Sequence, residues 1–240
     1  MKINNVMIFN FSKNNEFTTN LKLKHETLEV LNETKLLGTV ISSDLKWDKN
    51  TDKIVKDANK RMRMLHVAAK FMNNSQDLLY LYKTFIRSIL EFSAVVWHSS
   101  LSQSNINDIE RIQKSALKAI LKDKYKDYNS ALSELNLESL YKRRELLCLR
   151  FAKKSLKLEN FKKLFTLNKK CHYMNKRKQR KYKQNRVYTE RYLKSSIPYM
   201  QSLLNSEDRR IKSLLSNESA CPSESYLNGS ITDDNLNYNK

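Results

Sequence analysis

The 240-residue chain contains very little glycine and proline, with two residues of each. The turns of many-stranded sandwiches and barrels rely on these two residue types, so their scarcity disfavours such folds and favours helices. Cysteine is also sparse, and Cys148, Cys171 and Cys221 are odd in number and widely spaced. This pattern predicts no disulfide framework and fits a reducing compartment.

Long apolar runs are missing as well. Charged residues interrupt each apolar stretch that has helical spacing, so no membrane-spanning helix is predicted. The N-terminus has no secretory signal pattern. We therefore expect an intracellular protein of the nucleus or cytoplasm, without a membrane partner. Its hydrophobic content of 40% is sufficient for a core.

Acidic residues are outnumbered, with 25 against 45 basic residues and a formal net charge of +20. Basic residues exceed acidic ones by 11 in residues 51–168 and again by 11 in residues 169–215. Residues 1–50 carry an excess of only one, and residues 216–240 are acidic by three. Such a basic excess favours an anionic partner, and nucleic acid is the first candidate.

The apolar pattern changes its period along the chain. Short alternating segments near Val6, Leu21 and Leu28, and a run from Leu36 to Ile41, predict strands that cannot form a domain alone. From Asn50 onward, apolar residues recur every three or four positions and predict helices. The predicted helices cover about 50–72, 75–97, 104–120 and 140–158, with a shorter one at 130–135.

Together these patterns predict an α+β fold that is mainly α. A small antiparallel sheet at the N-terminus precedes a helical bundle and a basic, partly disordered C-terminal extension. Ser75 and Ser104 are the candidate N-caps of the second and third helices. The predicted domains are residues 1–46 (short strands), 47–168 (helical bundle), 169–215 (basic extension with short helices) and 216–240 (disordered tail).

The residue patterns of catalysis are missing. The adjacent pair Asp233 and Asp234 lies in the predicted disordered tail, no Cys-x-x-Cys motif is present, and two glycines cannot form a glycine-rich phosphate loop. His66 and His98 have no recognisable nucleophile partner. No catalytic residue and no metal ligand are therefore predicted in this chain.

The segment KRKQRKYK places six basic residues among eight positions. They are Lys176, Arg177, Lys178, Arg180, Lys181 and Lys183. Phosphate binding, nuclear import and a solvated linker all fit this composition. Nearby tyrosines (Tyr173, Tyr182, Tyr188 and Tyr192) favour stacking on unpaired bases. A second cluster, Lys142 to Arg144, fits either a phosphate contact or a solvated helix face.

Gly38 lies in KLLGTVISSDLKWDKN, where strands give way to helices, and is the only glycine before Gly229. A residue without a side chain permits close approach of a sugar-phosphate chain. It equally permits an unusual backbone angle or close packing by Trp47, and the residues alone favour this structural interpretation. Trp47 and Trp97 are expected in the core.

Several long motifs occur in an order typical of one family. They are VMIFN (6–10), KLLGTVISSDLKWDKN (35–50), LYKTFIRSILEFSAVVWHSSL (81–101), IERIQKSALKAIL (109–121), LNLESLYKRREL (135–146) and SSIPYMQSLLN (195–205). Over roughly residues 5 to 205, the chain resembles the C-terminal part of reverse transcriptases from jockey-like, LINE-type non-LTR retrotransposons.

The resemblance implies a fragment of an RNA-directed DNA polymerase: the last palm strands, the thumb bundle and a basic extension. In the intact family, palm aspartates upstream of VMIFN hold Mg²⁺, so this chain alone is predicted to be inactive and to hold no cofactor. Its implied partners are an RNA/DNA template–primer duplex and the missing fingers and palm. Where the family has lysines before VMIFN, this chain has Ile3, Asn4 and Asn5, which removes a lysine proton donor there.

The same resemblance implies roles for particular residues. Leu36, Leu37 and Gly38 match the palm–thumb junction that helps to hold the 3′ end of the primer. The residues predicted to contact duplex phosphates from the bundle are Lys60, Arg61, Arg63, Arg143 and Arg144, with the segment 176–183 as an auxiliary clamp. Two other functions stay open: a non-catalytic nucleic-acid-binding protein and a helical protein-interaction module.

Overall fold

The computed structural model describes residues 5–11, 21–23, 26–168, 180–184, 186 and 189–218, the last of these from 209 onward as backbone only. Within them, short strands precede a series of helices, as the sequence predicts. The strands are β1 (Asn5–Val6), β2 (Lys22–Leu23), β3 (Glu26–Thr27), β4 (Glu29–Val30), β5 (Glu33–Leu36) and β6 (Thr39–Ser42).

The strands form three separate pairs. β2 pairs with β3 and β5 with β6 in antiparallel fashion, as expected, whereas β1 and β4 are parallel. The parallel β1–β4 pair departs from the predicted antiparallel arrangement. Parallel strands need a long connection, and the sequence between Val6 and Glu29 is long enough to provide one. The run from Leu36 to Ile41 is a hairpin rather than one strand, since the chain turns at Leu37 and Gly38.

The helices account for most of the remaining described residues. They are α1 (Asp48–Phe71), α2 (Ser75–Leu81), α3 (Ser88–Glu91), α4 (Ala94–Trp97), α5 (Gln103–Leu121), α6 (Tyr128–Glu134), α7 (Leu140–Ser155), α8 (Glu159–Lys162), α9 (Glu190–Leu193) and α10 (Ser196–Glu218). A π-helical segment, Tyr82–Arg87, joins α2 to α3, and short 3₁₀ turns follow α4 and α5. In the described part of the chain, no helix is both long and apolar enough to cross a membrane.

The main core lies between α1 and α5. Both helices bury one stripe of apolar residues, represented by Ile54, Ala58 and Met62 on α1 and by Ile109 and Ala116 on α5. Their spacing of four and seven places them on one side of each helix. At roughly 25 cal/mol per Å² of apolar surface removed from water, this shared interface is a large source of stability.

Two helix starts differ from the prediction. The N-cap of α2 is Asn74, whose side chain accepts a hydrogen bond from the Gln76 amide, instead of Ser75. The N-cap of α5 is Ser102, which accepts from the Asn105 amide, instead of Ser104. In both cases a neighbouring residue with equal capping ability satisfies the free amides one or two positions earlier.

The helix predicted to run unbroken from 75 to 97 is interrupted. Ser93 adopts a left-handed conformation with φ of 52°, which separates α3 from α4. The indole Nε1 of Trp97 donates a hydrogen bond of 3.0 Å to the carbonyl of Phe92, which the break leaves without a helical partner. The side chain of Trp97 is fully buried and Trp47 is nearly so, which confirms their expected core positions.

A buried polar network crosses the bundle at Gln113, which is 1% exposed. The Tyr82 hydroxyl donates to Gln113 Oε1 at 2.6 Å, and Gln113 Nε2 donates to the Glu138 carbonyl at 3.0 Å and to the Tyr128 hydroxyl at 3.1 Å. Tyr128 in turn donates to Glu110. Burial raises the pKa of Tyr82 well above its usual range, so the phenol stays a donor at neutral pH.

A smaller core joins α7 to α10. Cys148 and Ala152 of α7 pack with Phe165, Tyr182 and Met200. α10 begins one residue before the predicted apolar segment at Ile197 and extends to Glu218, so it is longer than the short helices expected there. Burial raises the pKa of the Cys148 thiol to about 12, which makes it an unreactive packing residue.

Candidate nucleic-acid interface

One side of α1 is lined by cations. Lys53, Lys56, Lys60 and Arg63 follow one another at intervals of three, four and three residues, so they lie along one face of the helix. This face points away from the stripe that the helix buries. We call these four residues the α1 basic face. Lys60 and Arg63 were expected from the sequence, whereas Lys53 and Lys56 were missed, although the same spacing argument applies to them.

Two carboxylates near the α1 basic face reduce its charge but leave it positive. Asp52 lines a shallow groove with Lys56, Lys60 and Arg63. Asp57 lies 3.5 Å from the Lys60 ammonium, and the two side chains are 40% and 65% exposed. Exposed pairs of this kind contribute only about 0–1 kcal/mol, because water and salt screen them. This contact therefore holds Lys60 only weakly.

Arg61, also expected to contact phosphate, is exposed but lies to one side of the basic face. Each residue of an α-helix rotates by about 100°, so Arg61 points roughly a quarter turn away from Lys60. It shares its side of α1 with Asn50 and Asp57, and Asn50 Oδ1 accepts a hydrogen bond from the Val40 amide of β6. Arg61 is therefore on the side of α1 that faces the hairpin.

The hairpin turn adjoins the start of the α1 basic face. The ammonium of Lys53 donates to the Gly38 carbonyl at 2.5 Å. An ammonium has three donors, so Lys53 keeps two for a further acceptor. Lys35, Gly38, Lys53 and Phe92 are among the residues that line a groove of about 330 Å³ between the turn, α1 and α3.

Two leucines project from this turn. Leu36 is 57% exposed and Leu37 is 89% exposed, so their apolar side chains are not used in the core. Leu37 itself has a φ of 47°, and Gly38 has a φ of 90°. The predicted contact of these residues with a primer stays a prediction; the structure places them at the surface beside two lysines.

The structure explains why residue 38 is a glycine. Its positive φ is costly for other residues, and a Cβ atom would lie 3.1 Å from Cε1 of Phe92. The close neighbour is thus Phe92, not Trp47 as the sequence suggested. The unusual backbone angle that we considered is present.

We expect Gly38→Ala to lower the free energy of unfolding by about 1–2 kcal/mol, the usual cost of a left-handed backbone at a residue with a Cβ. Urea denaturation measures the change. In a Phe92→Ala background the steric part disappears while the backbone part stays, so the cost should shrink without vanishing. A Gly38→Ala protein as stable as the wild type would show that the turn does not require glycine.

Arg143 is occupied by an ion pair within the protein. Its Nη2 lies 3.1 Å from Glu91 Oε2, and its Nε contacts the other carboxylate oxygen, which makes the pair bidentate between α7 and α3. The hydrogen bond with Glu91 raises the pKa of Arg143. Arg143 therefore joins two helices, and the predicted phosphate contact would have to replace this pair.

Arg144 does not fit the predicted phosphate contact, because its side chain is completely buried. The guanidinium lies 5.7 Å from the Trp97 ring, and its Nε is 3.4 Å from Nδ1 of His98. Among the described residues, no acceptor reaches its Nη1 or Nη2. Burial lowers the pKa of Arg144. Its environment indicates a packing role between α4 and α7, out of reach of an external duplex.

His98 lies beside Arg144 and is 2% exposed. Burial, followed by the charge of Arg144, lowers the pKa of His98 to about 4 from 6.5. An Nδ1 that accepts a hydrogen bond requires the neutral ring. This agrees with the structural role expected for His98 from the sequence.

The buried neutral His98 should make stability depend on pH. Between pH 6.5 and about 4 the unfolded chain binds a proton that the folded chain does not. The stabilisation is therefore complete above 6.5 and is lost as the pH falls, by roughly 3 kcal/mol in total. Urea denaturation from about pH 7 to about pH 4.5 should show this slope in the wild type and lose it in His98→Gln. His66→Gln, at an exposed position of α1, is the matched control; a slope that persists in His98→Gln would contradict the assignment.

The segment 176–183 is described only from Arg180 onward, so Lys176, Arg177 and Lys178 lie outside the described residues. Arg180 is exposed and donates to Gln184. Lys181 lies 3.7 Å from Asp208 of α10. Lys183 is exposed, and its amide donates to the Thr166 carbonyl.

The tyrosines of this region are not equivalent. Tyr182 is buried in the α7–α10 core, so it cannot stack on bases as the sequence suggested. Tyr192 is 41% exposed. Tyr173 and Tyr188 lie outside the described residues, as do Cys171, His172 and the pair Asp233 and Asp234.

Within the described ranges, no group of three or more histidine, cysteine or acidic side chains is arranged to hold a metal ion. The features that the described residues do bring together are the α1 basic face, the exposed hairpin turn and the groove between them. No protein-family profile matches the chain, and neither does any curated protein or solved structure.

Proposed function

We propose that this chain is the end of the palm and the thumb of a reverse transcriptase of the jockey-like, LINE-type non-LTR class. Its role is to grip a template–primer duplex through the phosphates. The motifs at 35–50, 81–101 and 109–121 support the family, and the α1 basic face is the single observation that carries the binding role.

The physical argument rests on charge and exposure. Four cations on one helix face lie within reach of consecutive phosphates of a duplex backbone, and the only acidic contact recorded for them in the described part of the chain is the weak one with Asp57. Contacts to phosphate carry no base information, so the binding is independent of sequence.

In this proposal, the hairpin turn contacts the primer end. Leu36 and Leu37 offer exposed apolar surface to a sugar, and they lie beside the groove that Lys35 and Lys53 line. Polymerisation itself belongs to the family's palm aspartates and their Mg²⁺, and no residue of this chain is assigned to catalysis.

A salt titration of duplex binding tests the proposal. The full chain is titrated with an RNA–DNA hybrid of arbitrary sequence at increasing salt, and fluorescence anisotropy gives the dissociation constant. We expect the logarithm of the affinity to fall linearly with the logarithm of salt, by about 0.9 for each phosphate contacted. Absent or salt-insensitive binding would refute the proposal and favour a helical protein-interaction module.

A further inference from the structure

A second basic concavity lies far along the chain from α1. This cavity of about 720 Å³ lies between Arg180, Gln184 and Arg186, the α9–α10 junction and the 3₁₀ turn after α4. We call it the α10 cavity. Its lining residues are all described, and they include Ser99, Arg180, Arg186, Lys194, Pro198 and Tyr199.

The backbone next to Arg180, on one side of the cavity, is held in place by hydrogen bonds to α10. Tyr182 is buried, and its amide and carbonyl are both bound by the side chain of Asn205: Tyr182 N donates to Oδ1 at 2.9 Å, and Nδ2 donates to Tyr182 O at 3.1 Å. An antiparallel bridge between Leu167 and Tyr182 holds the other side of the segment. Arg180 therefore projects from a fixed backbone.

The opposite wall is fixed as well. The hydroxyl of Ser100 donates to the Lys194 carbonyl at 2.7 Å, and the hydroxyl of Ser196 donates to the Val96 carbonyl at 2.7 Å. These bonds attach the chain that enters α10 to the end of α4. The position of Lys194 relative to Ser99 is thereby set by the fold.

The charges on these walls have one sign. Arg180, Arg186 and Lys194 line the cavity, and no carboxylate occurs among its described lining residues. Arg180 donates to Gln184 through one of its five donors. Among the described residues, Lys194 contacts one carboxylate, that of Glu190, at 3.5 Å and outside the lining. Three cations at one concavity repel one another unless an anion is present.

We propose that the α10 cavity binds a nucleoside phosphate. The arginines and Lys194 hold the phosphate, and the apolar surface of Leu193, Pro198 and Tyr199 receives the sugar and base. Its volume lies in the usual range of small-ligand pockets, about 300–1,000 Å³. The ligand is either a free nucleotide or the phosphorylated end of a single strand, since both present the same group.

This site differs from the duplex surface of the proposed function. It shares no residue with the α1 basic face, and of the described residues 180–183 its lining includes Arg180 alone. The two proposals can therefore fail independently.

Isothermal titration of the full chain with AMP and with adenosine tests the site. We expect AMP to bind measurably and adenosine not to bind. A short single strand with a 5′-phosphate and the same strand with a 5′-hydroxyl then separate the sources. A phosphorylated strand that binds more tightly than both AMP and the 5′-hydroxyl strand indicates a strand end, and equal binding of the two strands indicates a free nucleotide. Equal binding of AMP and adenosine, or no binding of any phosphorylated probe, would overturn the proposal.

Substitutions in the lining test whether AMP binds in the α10 cavity. Arg186→Gln and Lys194→Gln alter exposed side chains, and each should weaken AMP binding about tenfold, the usual effect of one charge-assisted hydrogen bond. Lys163→Gln, at an exposed position outside the lining, should leave it unchanged. Duplex binding should be nearly the same in all three. AMP affinity that is equal in Arg186→Gln, Lys194→Gln and the wild type would refute this site even if duplex binding stands.

Discussion

Replacement of the α1 basic face by glutamine should reduce duplex affinity on the order of a hundredfold to a thousandfold at ~0.1 M salt. The variant carries Lys53→Gln, Lys56→Gln, Lys60→Gln and Arg63→Gln. Each phosphate contact releases about 0.9 condensed counterion on binding. Loss of four contacts should therefore make the slope of log affinity against log salt shallower by about 3 to 4. Anisotropy titrations of an RNA–DNA hybrid at several salt concentrations measure both quantities.

A charge-matched control separates a local interface from general attraction. Arg150→Gln, Lys154→Gln, Lys157→Gln and Lys163→Gln remove the same charge from exposed positions on α7 and just beyond it. Long-range attraction weakens equally in both variants, whereas only the first loses direct contacts. If the two variants lose equal affinity, α1 is not the binding face and the basic charge acts only as a whole.

Arg61 offers a finer test on the same helix. It is exposed like Lys60, but it points about a quarter turn away, toward the side of the hairpin. Arg61→Gln should therefore change the salt slope less than Lys60→Gln does. If Arg61→Gln changes the salt slope more than Lys60→Gln does, the duplex binds on the side of α1 that faces the hairpin.

The periodic spacing of apolar residues predicted the helices well, because a helix that buries one side must carry its apolar residues on that side. Ile54, Ala58 and Met62 had to face one way for α1 to pack, and the packing partner on α5 obeys the same rule. Helix ends were less predictable. Asn74 and Ser75 cap helices about equally well, so the sequence could not decide between neighbours whose difference is small.

The helix break at Ser93 is a second feature that the sequence pattern does not predict. The sequence has no glycine or proline near this position, and the apolar stripe continues from Ile89 to Val96. The left-handed conformation of Ser93 is accompanied by the tertiary contact of Trp97 with the Phe92 carbonyl. A local pattern carries no information about such a contact.

Tertiary contacts also give the candidate site residues different roles that the sequence does not show. Arg143 and Arg144 are adjacent in one basic cluster, yet one is paired with Glu91 and the other is buried against Trp97. Adjacent residues on a helix point about 100° apart, so a cluster in sequence need not be a cluster in space. The α1 basic face follows helical spacing instead, so it includes Lys53 and Lys56 although they lie outside the sequence cluster at 60–63.

Trp97→Ala should destabilise the fold more than any of the substitutions above, with a loss of about 3–5 kcal/mol in the free energy of unfolding. The side chain is fully buried at the contact of α4 with α7, and its removal leaves a large cavity. It also removes the hydrogen bond to the Phe92 carbonyl and uncovers the buried Arg144 guanidinium. The melting temperature should fall by roughly 10 °C.

Two further variants separate these causes. Trp97→Phe keeps most of the apolar volume but loses the indole donor. It should therefore cost about 1–2 kcal/mol, for the loss of one partly buried hydrogen bond and the opening of a small cavity. Val96→Ala alters the neighbouring, 45% exposed position and should change stability by less than about 1 kcal/mol. Urea and thermal denaturation of all three, followed by circular dichroism, provide the comparison. If Trp97→Ala costs no more than Val96→Ala, then the joint between α4 and α7 unfolds separately from the α1–α5 core, and the helices do not form one cooperative unit.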